Sequence, residues 1–99
     1  MKSYTHNRIE IRDEVLAAFG FELDDIQSHR RTKVVCVARD TIAACTMHLC
    51  GFSSTEAAEF SGFQSHSSTL YGARRFLRGN HDAYPVCKKY RDIITEAQQ

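Results

Sequence analysis

The residues whose types and spacing could do chemistry are concentrated between Gly62 and Arg75, in the run Gly62-Phe63-Gln64-Ser65-His66-Ser67-Ser68-Thr69-Leu70-Tyr71-Gly72-Ala73-Arg74-Arg75. A small-polar start leading into a cationic face suits a helix lying in a DNA major groove. There the first turn meets base edges and the later turns meet phosphates. Base contacts are assigned to Gln64, Ser65, His66, Ser67 and Ser68, and phosphate contacts to Tyr71, Arg74 and Arg75. At about 100° per residue, Leu70, Ala73 and Leu77 form a core-facing stripe with Phe76 and Thr69 on its shoulder. Ser67, Tyr71, Arg74, Arg75 and Arg78 fall opposite. His66 projects toward the core side at that angle, which leaves two readings: contact with a base from the very start of the helix, or a packed histidine.

Other reactive side chains make poorer sites. His66 with Ser67, or His48 with Cys45 or Cys50, offers a base beside a nucleophile, but no third orienting group or oxyanion site accompanies them, so the chain does not read as an enzyme. Cys45, His48 and Cys50 are spread around a helix by their spacing, and no metal is expected. The four cysteines, Cys36, Cys45, Cys50 and Cys87, form no C-x-x-C pair and read as reduced, small apolar core residues. The nucleotide-cradling pattern G-x-x-x-x-G-K-[ST] is absent from the sequence, so neither nucleotide nor any other cofactor is expected.

The elements that must position the Gly62–Arg75 run are helical. A first helix is expected from Asn7 or Arg8 to Phe19, capped by Asn7 and ended by Gly20. A short turn or helix at Leu23–Gln27 follows, then an exposed basic loop over residues 28 to 34. Val34-Val35-Cys36-Val37 has strand-like composition but nothing nearby to pair with, and reads as a buried approach to the next helix. That helix, Val37 to Cys50, carries Ala38, Ile42, Cys45 and Leu49 on one stripe. Ser53 and Glu56 form a capping box opening a helix from Thr55 to Phe60. Ser61-Gly62-Phe63-Gln64 makes a tight turn, Ser65 caps a helix from His66 to about Arg78, and a last helix spans Ala83 to Ala97 with Pro85 in its first turn. The expected fold is all-α, a bundle of five or six helices with a helix-turn-helix at about 54 to 78, in one domain over residues 1 to 99.

Total charge is uninformative at +1, but its distribution is not. Residues 1 to 25 hold three cations against six carboxylates: Glu10, Asp13, Glu14, Glu22, Asp24 and Asp25. Residues 26 to 39 hold Arg30, Arg31, Lys33 and Arg39 with no acid, and residues 61 to 91 hold six cations against Asp82. Two basic blocks flanking a helix pair are the footprint expected for a polyanion. No apolar run reaches the ~20 residues of a membrane span, and no signal peptide is read at the N-terminus, so a cytoplasmic, nucleoid-associated protein is expected.

From about Ser28 to Phe76 the chain resembles, without a gap, the C-terminal DNA-binding domain of the bacterial replication initiator DnaA, a Trp-repressor-like helix-turn-helix. The resemblance rests on Ser28-His29-Arg30-Arg31-Thr32-Lys33, Ala38-Arg39-Asp40-Thr41-Ile42-Ala43, Gly51-Phe52-Ser53-Ser54-Thr55-Glu56-Ala57-Ala58 and the Gly62–Arg75 run. It implies binding of a short double-stranded box, with a recognition helix in the major groove and a basic-loop arginine in the adjacent minor groove. By position, Ser65 stands at a family acidic residue that accepts from a base, His66 keeps the family histidine, Ser67 and Ser68 replace a threonine pair, and Tyr71 replaces a histidine near phosphate. Arg39 matches an arginine at the start of the helix after the basic loop. Val37 occupies the place of the minor-groove arginine, leaving that contact to Arg31 or Lys33, with Arg30 beside them. Without the threonine methyls, and with a hydroxyl for a carboxylate at Ser65, base preference is expected to be shifted or relaxed.

The leading expectation is therefore sequence-selective double-stranded DNA binding, at origin-like boxes or as a regulator of replication, by a free-standing domain without an ATPase. The alternative is an adaptor that binds another replication or regulatory protein through its acidic first helix.

Overall fold

The computed structural model describes residues 6–28 and 32–97, which form six helices and no strand. They are α1 (Arg8–Phe19), α2 (Leu23–Gln27), α3 (Lys33–Leu49), α4 (Ser54–Ser61), α5 (His66–Leu77) and α6 (Pro85–Ala97). The fold is all-α.

Most helix ends are set by local chemistry. Asn7 Oδ1 accepts from the amides of Ile9 at 2.8 Å and Glu10 at 3.2 Å, holding the otherwise unpaired donors that open α1. The α4 capping box forms as expected: Ser53 Oγ accepts from the Glu56 amide at 3.2 Å, and the Ser53 amide donates to Glu56 Oε1 at 3.1 Å. Ser65 caps α5, accepting from the Ser68 amide at 3.2 Å. Pro85 is the first residue of α6, two positions later than expected from the sequence.

The largest departure is at α3, which begins at Lys33 and not at Val37. The Thr32 hydroxyl accepts from the Val35 amide, and Val35 and Val37 are buried, so packing overrides the weak helix propensity of the β-branched run. Lys33 and Val34 are therefore helical and do not belong to the basic loop expected over 28 to 34. Residues 29 to 31 of that loop lie outside the described residues.

Helix α3 is the axis of the molecule. Ten consecutive residues, Val37 to Thr46, are buried, and α3 touches each of the other five helices. The expected stripe of Ala38, Ile42, Cys45 and Leu49 is buried within it. Its buried polar groups are satisfied: the hydroxyls of Thr41 and Thr46 donate to the carbonyls of Val37 at 2.8 Å and Ile42 at 2.9 Å. Among the cysteines, Cys45 and Cys87 are core residues as expected, whereas Cys36 and Cys50 are only half-buried.

Two glycines permit close approaches. Gly62, at φ 93°, ends α4 in the left-handed region, and a Cβ there would strike the Ile26 carbonyl at the end of α2. Gly72 sits inside α5, where a Cβ would strike Asp40 Oδ1 and come within 2.7 Å of Phe63 Cζ. Ala exceeds Gly in helix propensity by about 1 kcal/mol, yet Gly72→Ala is expected to destabilise the fold by about 1–3 kcal/mol through overpacking, read as a lower urea midpoint.

Helices α1 and α6 are joined by a polar contact. Glu14 accepts from Lys89 Nζ at 2.6 Å and from the Tyr90 hydroxyl at 2.7 Å. These donors lower the Glu14 pKa below its ordinary 4.5, with the Lys89 bond the larger cause. A lowered carboxyl pKa stabilises the fold above the ordinary value and loses that effect as pH falls through the folded one. Wild type should thus exceed Glu14→Gln in urea midpoint at pH 7, and the gap should close as pH falls below 4.5.

Candidate nucleic-acid interface

The first turn of α5 faces outward. Gln64, Ser65, His66, Ser67 and Ser68 are all exposed, which resolves the two readings of His66 in favour of an outward side chain. Ser65 is committed to the helix end: besides accepting from the Ser68 amide, its hydroxyl donates to Ser68 Oγ at 3.0 Å. Farther along, Tyr71 is 61% exposed, and the Arg74 guanidinium lies 5.9 Å from its ring centroid, a cation–π arrangement that stiffens both side chains at the surface. Arg74 and Arg78 are exposed.

The inward face of α5 differs from the expected one. Thr69, Gly72, Ala73 and Phe76 are buried, Leu77 is partly buried and Leu70 is exposed. Thr69 can turn inward because its hydroxyl donates to the Ser65 carbonyl at 2.8 Å, and Gly72 lets the helix seat directly on Asp40. A stripe centred on Leu70, Ala73 and Leu77 leaves Thr69 and Phe76 on its shoulder and omits Gly72, whereas the buried face is turned toward those three and leaves Leu70 outside.

Arg39 and Arg75, both expected to meet phosphate, make hydrogen bonds within the protein; Arg39 is buried, whereas the Arg75 side chain stays 44% exposed. Arg39 donates through Nε to the Ile26 carbonyl at 2.8 Å and through its second guanidinium nitrogen to the Ser28 carbonyl at 2.6 Å. It therefore fastens the end of α2 to α3. Arg75 forms a two-pronged pair with Asp40, Nε to Oδ2 at 3.0 Å and the second nitrogen to Oδ1 at 3.1 Å. That bond raises the Arg75 pKa. His81 Nε2 also meets Asp40 Oδ2, at 2.8 Å, so one carboxylate at 1% exposure serves α5 and the segment after it. Asp40 is absent from the residues expected at the site, although an acid between Val37-Ala38 and Ile42-Ala43-Ala44 signals a buried charge that needs partners.

The basic blocks shrink accordingly. Lys88 pairs with Asp92 at 3.1 Å, Lys89 with Glu14, and Arg91 with Asp82. Arg74 on α5 and Arg78 at its C-cap remain exposed, Arg75 is 44% exposed beside Asp40, and Lys33 is exposed in the first turn of α3. Arg30 and Arg31 lie outside the described residues. Ser28, the residue before them, lines a cleft of ≈ 200 Å³ together with Cys36, Arg39, Gln64, Ser68 and Arg75. The point where the chain leaves α2 toward its basic segment is thus beside the first turn of α5.

No protein-family model, curated protein or solved structure matches this chain.

These placements separate structural from surface cations. Arg39→Ala is expected to lower stability by about 2–3 kcal/mol and Asp40→Ala by on the order of 3 kcal/mol, because each leaves buried polar partners unmet. Arg74→Ala and Lys33→Ala should stay within about 0.5 kcal/mol of wild type. Urea denaturation of the four variants checks the division; a stability loss at Arg74 equal to that at Arg39 would contradict it.

Proposed function

We propose that this chain binds double-stranded DNA sequence-selectively, with α5 in the major groove and the basic segment at Arg30 and Arg31, together with Lys33, against the neighbouring backbone or minor groove. The observation that carries the reading is the exposed tip of α5, His66, Ser67 and Ser68, followed on the same helix by Tyr71 and Arg74 and at its C-cap by Arg78. Such a helix offers short donors and acceptors to base edges and guanidinium groups to phosphates. Anchoring from behind by Asp40 and Arg75 supports the reading, since a recognition helix must hold its register to discriminate bases. The resemblance to the DnaA C-terminal domain, which rests partly on the same Gly62–Arg75 run, supports it as well, and with it a role at origin-like boxes or in regulating replication. Buried Arg39 acts here by positioning, while Arg75, held by Asp40 and 44% exposed, positions α5 and still presents charge at its surface.

The adaptor reading draws less support. Of the six carboxylates near the N-terminus, Glu14 is bonded to α6, and Glu22 and Asp25 form the capping box of α2.

A selection from random duplexes followed by titration tests the proposal. Wild type should enrich one short box, and log affinity should fall with log salt at about 0.9 per phosphate contact. Arg74→Ala should weaken binding to all duplexes alike and reduce that slope by about one contact. Ser67→Ala should alter the ranking of sequences. No enrichment by the folded wild-type protein would refute the reading.

A further inference from the structure

Leu70 is the one purely aliphatic side chain on the outward face of α5. It lies one helical turn after His66 and Ser67 and one turn before Arg74, and is 36% exposed. Among the described residues only three large hydrophobic side chains are exposed, Ile9, Leu70 and Tyr71, and two of them are neighbours on this helix. The arrangement is enforced from behind. Thr69 is turned inward with its hydroxyl satisfied by the Ser65 carbonyl. Gly72 leaves no room for a Cβ beside Asp40 and Arg75 pairs with that carboxylate, so rotating α5 to bury Leu70 would disrupt its seat on α3.

An aliphatic group held between base-contacting and phosphate-contacting positions has one specific complement in the major groove. Only thymine among the four bases carries a methyl group at its groove edge. Ser67 and Ser68 have no methyl to offer it. We propose that Leu70 is a specificity-determining residue that reads the 5-methyl group of a thymine within the bound box. This rests on the DNA-binding reading and adds to it the base that α5 selects.

Uracil in place of thymine removes that methyl and leaves the Watson–Crick pairing intact. The test uses the box enriched by wild type, with each thymine on both strands replaced singly by uracil. Affinities are measured for the full chain and for Leu70→Ala, Leu70→Met and Arg74→Ala, each checked for native helicity by circular dichroism. Burying one methyl group contributes about 0.8 kcal/mol, so wild type should lose about fourfold at one thymine. Leu70→Met, which keeps an apolar contact, and Arg74→Ala, which binds more weakly throughout, should retain that penalty. Leu70→Ala should bind the parent box less tightly and lose nothing further on uracil substitution. An unchanged uracil penalty in Leu70→Ala, the absence of any penalty in wild type, or an enriched box without thymine each overturns the proposal while leaving DNA binding intact. Failure of wild type to enrich any duplex removes the DNA-binding reading itself, and the thymine contact with it.

Discussion

A single buried carboxylate organises the packing of α5 and the segment after it on α3. Asp40 lies in the middle of a helix surrounded on all sides, where an unpaired charge would be strongly unfavourable, and it is accommodated by two hydrogen bonds from Arg75 and one from His81. Those partners come from α5 and from the segment leading to α6. Because the pairing is directional, it determines not only that α5 packs on α3 but which of its faces does so. Gly72 completes the arrangement by allowing the α5 backbone to approach the carboxylate.

The same economy operates at the other end of the interface. Arg39 donates to the carbonyls of Ile26 and Ser28, and Gly62 permits the turn before α5 to lie against that Ile26 carbonyl. The end of α2, the start of α3 and the α4–α5 turn are therefore one junction. Ser28, where the chain leaves α2, is held near the tip of α5 by a hydrogen bond from the Arg39 side chain to its carbonyl.

These two networks change how the charge pattern is understood. Counting cations along the chain suggests dense basic patches, yet Arg39, Arg75, Lys88, Lys89 and Arg91 each have a partner within the protein. Surface pairs such as Lys88–Asp92 contribute little to stability, but they still reduce the field a phosphate backbone would experience. Among the described residues of the two basic blocks, what remains without such a partner is smaller: Arg74 on the outer face of α5, Arg78 at its C-cap, and Lys33 at the start of α3.

Sequence by itself determined the helices and most of their ends, because these depend on groups within a few residues of one another. Asn7, Ser53 with Glu56, Ser65 and the glycines at positions 20 and 62 act locally and were legible as such, as was the hydroxyl-rich tip of α5. Only the tertiary structure decided the burial of Val35 within α3, the outward rotation of Leu70, the burial of Arg39, and the pairing of Arg75 with Asp40. Each of those depends on partners distant in sequence: Asp40 stands 35 positions from Arg75 and 41 from His81. A helix's own periodicity specifies which residues share a face, whereas the direction of that face is set by which buried charge, hydroxyl or glycine meets its complement across the core.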